Sequence, residues 1–74
     1  MKVYFGPGDI IVGQNKIGVT CICLIESLTE EKEYNVHWTY SHSMKPFRDT
    51  VTHTYMIAII KRPGWKLYKV VEPV

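Results

Sequence analysis

Cysteine, glycine-rich loops, long apolar runs and metal-ligand spacings are scarce or missing in this 74-residue chain, and each gap removes a class of function. The two cysteines, Cys21 and Cys23, stand two positions apart on what reads as one strand. Their Cα atoms fall near the upper limit for a disulfide and their side chains point the same way, so they read as small buried hydrophobes in a reducing compartment. Cys-x-Cys with scattered His37, His42 and His53 does not match the paired spacing of zinc ligands. No metal and no cofactor is expected. Gly6-Pro7-Gly8 lacks the lysine and the following helix that a phosphate-binding loop requires. The glutamates Glu26, Glu30, Glu31 and Glu33 lie in a polar stretch without apolar neighbours to raise a pKa. A Cys21 or Cys23 nucleophile paired with His37 or His53 would need an exposed, electropositive setting, and Ile22, Leu24 and Ile25 argue for the reverse. No enzyme is expected.

Nothing approaches the roughly 18 apolar residues of a membrane span. Met1–Pro7 carries one positive charge and breaks at Gly-Pro before an apolar region develops. A cytoplasmic, soluble protein is the expectation. The chain reads as one domain over residues 1–74, without repeats or low-complexity segments. A domain this small buries only about 60% of its unfolded surface.

What is present is organised around Gly18–Tyr40. In Ile17–Glu26 the odd positions Ile17, Val19, Cys21, Cys23 and Ile25 are apolar. In Glu33–Tyr40, Tyr34, Val36, Trp38 and Tyr40 share one face and Glu33, Asn35, His37 and Thr39 the other. A period of two with β-branched and aromatic residues predicts a long hairpin. Ser27–Lys32 is polar and reads as its loop; Ser27-x-x-Glu30 also fits a helix capping box, with too few residues following for a stable helix.

Gly6-Pro7-Gly8 forms a turn before a short strand at Asp9–Gly13, and Gln14–Lys16 connects it to the hairpin. Ser41–Pro46 reads as a loop. Asp49–Thr54 is β-branched and predicts a strand; Tyr55–Ile60 either extends it or closes into a helical turn, the latter favoured by Met, Ala and the i,i+4 pairs. Lys61-Arg62-Pro63-Gly64 ends that segment, Trp65–Val71 forms the last strand, and Glu72–Val74 is a tail.

Gly-Asp-Ile-Ile-Val after a turn, Gly18-Val19 opening a strand, Tyr34-x-Val36-x-Trp38 and a late Trp65-x-Leu67 together resemble the SH3-like small barrels, which include Tudor, chromo-like and KOW domains. The resemblance implies an all-β, five-stranded, partly open barrel with a one-turn helix before the last strand. The long apolar 55–60 segment departs from that group and suggests either an extended strand or a surface covered by another subunit; a homo-oligomer is one expectation.

Barrels resembling this one bind peptides, methylated side chains or nucleotides at loop-end aromatics. That points to Tyr4, Trp38, Tyr40, Phe47 and Tyr68 as an aromatic patch, with a Tudor-like cage implied near Trp38 and Tyr40. Core packing is the competing use of the aromatics, with Tyr34, Trp38 and Trp65 filling the interior. Net charge is +2, but residues 1–43 carry three lysines against five acids and residues 44–74 six Lys or Arg against two. Lys45, Arg48, Lys61, Arg62, Lys66 and Lys69 form a candidate basic patch, which with Trp65 and Tyr68 suits the RNA binding of KOW-like barrels. A protein partner is the leading expectation and nucleic acid the alternative. In general form the chain is similar to accessory proteins of phages and mobile elements, many of which inhibit a host factor.

Overall fold

Alternating apolar residues drive four consecutive antiparallel strands and leave one helix to cover them. The computed structural model describes residues 4–42 and 45–70. Strands β1 (Ile10–Gln14), β2 (Thr20–Leu28), β3 (Tyr34–Tyr40) and β4 (Phe47–Val51) precede helix α1 (His53–Ile60) and strand β5 (Lys66–Tyr68). The sheet runs β4-β3-β2-β1-β5, all neighbours antiparallel, so β5 returns to pair with β1. Among the described residues β4 and β5 do not pair, and the sheet is open. The expected stretches Met1–Val3, Ser43–Met44 and Val71–Val74 lie outside the described residues.

One face of the sheet is the core. Ile11, Cys21, Cys23, Ile25, Tyr34, Val36, Trp38 and Val51 are buried there, and α1 lays Met56 and Ile59 onto them. The β2–β3 connection is a turn rather than a helix. Thr29 exchanges backbone hydrogen bonds with Glu33 and Lys32, its hydroxyl accepts from Glu33 N–H, and Lys32 takes a left-handed φ of 63°. The alternation expected from Ile17 begins two residues later. The Asn15 side chain accepts from the amides of Ile17 and Val19, and Gly18 has φ +85°, so Ile17 sits on a tight turn and is 81% exposed.

The segment after β3 also differs from its pattern. The strand begins at Phe47 and stops at Val51, because Thr52 caps α1, its hydroxyl accepting from Tyr55 N–H at 3.1 Å. The helix spans eight residues, two turns where one was expected. Its Met56 and Ile59 are buried and Ile57 and Ile60 pack against the core, so most of the apolar 55–60 run is absorbed internally. Pro63 and the left-handed Gly64 (φ +81°) then reverse the chain into β5.

The two ends of the described chain are tied by Asp9, 1% exposed. Its carboxylate accepts from Gly6 N–H at 2.8 Å and Val70 N–H at 2.9 Å, and pairs with the Lys69 ammonium. Burial alone would push this carboxyl up, but the Lys69, Val70 and Gly6 hydrogen bonds outweigh it and hold it below its ordinary 3.8. A depressed carboxyl contributes stability that is present at neutral pH and lost as pH falls below the unfolded value and through the folded one. Asp9→Ala leaves the Gly6 and Val70 amides without their acceptor and Lys69 with the Tyr4 carbonyl but no counter-ion, and is expected to cost about 3 kcal/mol. Chemical denaturation at pH 7 and pH 3 should show the variant's deficit shrinking in acid.

Candidate binding cleft

The β-period places alternate residues of β2, β3 and β4 on the core face, and at the end of that face where β3 closes and β4 opens α1 contributes Tyr55. The register sets Trp38 beside Phe47, Val36 beside Asp49 and Cys21 beside Tyr40. Trp38, Tyr40, Phe47 and Asp49 thereby project to one side. Tyr55 from the first turn of α1 and Arg62 and Trp65 from the α1–β5 connection complete the walls of a cleft of about 270 Å³, with Cys21 among its lining residues. Tyr40 and Phe47 stack with ring centroids 6.2 Å apart and planes 21° from parallel. Trp38 and Trp65 meet edge to face at 6.4 Å and 79°. Five aromatic rings and one carboxylate therefore converge on a space the size of a side chain, below the volume of an ordinary cofactor pocket.

Trp65 depends on a single glycine. A Cβ on Gly13 would lie 2.0 Å from indole Cδ2 and 2.4 Å from Cε2, so the ring rests on the backbone of β1. No other residue type fits beneath it.

Burial pushes Cys23 up to about 12 and also raises Cys21, which disfavours the thiolate of both at neutral pH. Burial, with Cys21, Tyr55 and Cys23 nearby, likewise raises the Tyr40 phenol. No cluster of three metal-ligating side chains exists among the described residues. Nor is any described helix long and apolar enough to cross a membrane. A larger hollow of about 520 Å³ lies along β1 and β5, lined by Gln14, Asn15, Thr20, Pro63 and Lys66 among others, and gathers no convergent charge.

Of the aromatic set expected from sequence, the fold brings Trp38, Tyr40 and Phe47 together in this cleft. Tyr68 pairs with Ile10 on the opposite face. Tyr4 precedes Phe5, which packs against Tyr34 and His53 at the other end of β3. Of the basic set, Arg62 lines the cleft, Arg48 pairs with Glu26 at 2.9 Å and Lys69 is held by Asp9. Lys66 lies on the outer face beside Val12, Lys61 closes α1 and Lys45 precedes β4. The sequence pattern does not single out Asp49; its signal is the two-residue spacing from Phe47, which a strand starting at Asp49 conceals and β4 over Phe47–Val51 reveals. The seat of Trp65 on Gly13 had no sequence signal.

Gly13→Ala is expected to displace the Trp65 indole and cost about 1–3 kcal/mol, read as loss of near-ultraviolet circular dichroism and a lower melting temperature. Both cysteines should resist a thiol reagent in the native protein at neutral pH and react together at the rate of global unfolding. Rapid labelling of one thiol in the folded state contradicts that.

Comparison with known protein families, with curated proteins and with solved structures finds no match to this chain.

Proposed function

We propose that this chain is a non-enzymatic binding module of SH3-like architecture that engages another protein by taking one of its cationic side chains into the aromatic cleft. Four sequential antiparallel strands, then a helix, then a last strand returning to β1 support the architecture. The observation that carries the function is Asp49 on the rim of a cleft walled by Trp38, Tyr40, Phe47, Tyr55 and Trp65. Ring faces and a carboxylate together attract a cation, worth about 2 kcal/mol or more where water is excluded. Among the described residues the Asp49 carboxylate accepts one hydrogen bond, from the neighbouring Thr50 amide at 2.8 Å. Arg62 on the same cleft offsets part of the Asp49 attraction and leaves the ring faces to supply the rest, so a single lysine or arginine in a neutral or acidic context suits the site better than a basic tract.

A module of this kind acts by occluding a site on its partner, the manner of the small inhibitors that phages direct at host factors. Single-stranded nucleic acid draws less support. Two of the six candidate bases are engaged in ion pairs, and in the aromatic cleft Asp49 offsets Arg62, so no run of free bases faces a phosphate backbone there.

Selection of peptides from a random display library on the immobilised protein tests the reading. Enriched peptides are expected to hold a Lys or Arg at one fixed position. Asp49→Asn, which keeps an acceptor for Thr50, and Phe47→Ala should each weaken such a peptide roughly tenfold or more. Enriched peptides without a cation, or affinities indifferent to both substitutions, contradict it.

A further inference from the structure

The outer face of the sheet breaks the rule that its core face obeys. An antiparallel sheet with one solvated side alternates apolar inward and polar outward. Strands β3 and β4 comply, presenting Asn35, His37, Thr39, Arg48 and Thr50 outward. Strands β1 and β2 do not. Ile11, Cys21, Cys23 and Ile25 point into the core, yet Ile10, Val12, Ile22 and Leu24 point out. The register makes these a contiguous block, Ile10 beside Leu24 and Val12 beside Ile22, which Tyr68 extends next to Ile10. Ile22 remains 36% and Tyr68 54% exposed, and α1 covers the opposite side of the sheet.

Two charges frame the block at diagonal corners. Lys66 stands beside Val12 at one. Glu26, at the irregularity between Ile25 and Ser27, stands beyond Leu24 at the other, and its Oε1 is engaged by Arg48.

We propose that this face docks on the same face of a second copy of the chain. Sheets packed face to face settle near 30° or near 90°. At the near-orthogonal setting, with the twofold axis along the diagonal of the block, Ile22 meets Ile22, Ile10 meets Ile10, and Val12 meets Leu24. The same operation brings Lys66 of each copy opposite Glu26 of the other. The patch is thus self-complementary in charge as well as in apolarity, which is what an isologous interface requires. The surface lies on the other side of the sheet from the aromatic cleft, so both can be occupied at once, and neither proposal rests on the other.

Sedimentation equilibrium from micromolar to near-millimolar protein tests it, with circular dichroism confirming that each variant folds. The wild-type chain is expected to dimerise, and Ile22→Lys to be monomeric. Lys66→Glu and Glu26→Lys should each weaken the dimer by about tenfold. Mixing these two should restore it, because the mixed pair regains both opposite-charge contacts. A monomer throughout the range overturns the proposal and leaves the face to a different protein. A dimer indifferent to Ile22→Lys, or a mixture no tighter than either variant alone, overturns it as well.

Discussion

The indole of Trp65 lying flat on the backbone of Gly13 is the contact on which the rest of this small fold depends. It carries the chain from the end of α1 back to β1, so that three residues of β5 suffice to hold the C-terminal strand in the sheet. It also sets the wall of the cleft, since the Trp38 edge packs against it. A chain with few residues to bury must use large ones, and a large ring reaches the backbone only where no side chain intervenes. The counterpart at the far end is the buried Asp9 carboxylate, which joins the Gly6 turn to Val70 and Lys69 with directed hydrogen bonds.

Helix length explains why a cleft exists at all. Eight residues of α1 make a rod about 12 Å long, whereas β2 alone extends about 30 Å. Met56 and Ile59 cover the middle of the core face, and the end bearing Trp38, Tyr40 and Phe47 is left for other groups to approach. The rings there are fixed by strand register and by stacking, so an incoming side chain meets a surface already in place. Such preorganisation reduces the entropy lost on binding.

Much of this was legible in the sequence, for physical reasons that also mark where legibility stops. The β2–β3 hairpin follows from a strict period of two, and the structure keeps Tyr34, Val36 and Trp38 on the core face as that period requires. The predicted start of β2 slipped because Asn15 and Gly18 build a turn whose hydrogen bonds outweigh the apolarity of Ile17. The boundary between β4 and α1 was misplaced because a β-branched run conceals the one threonine, Thr52, that serves as a cap. Candidate aromatics were visible as a class, but their sorting into cleft, core and outer face rests on register. Tyr68 and Phe47 look alike in sequence, yet they stand on opposite sides of the sheet. The role of Asp49 and the seat of Trp65 are tertiary facts that no local pattern encodes.

The central claim is that the five rings and Asp49 form one site for a cation. The two indole N–H resonances, from Trp38 and Trp65, report on it directly in a nuclear magnetic resonance titration with tetramethylammonium chloride against sodium chloride. Saturable shifts of these indoles and of the Phe47–Asp49 amides, seen with tetramethylammonium and lost in Asp49→Asn, are the predicted result. Equal, linear shifts with both salts would show that the cleft has no affinity for a cation and would contradict the account.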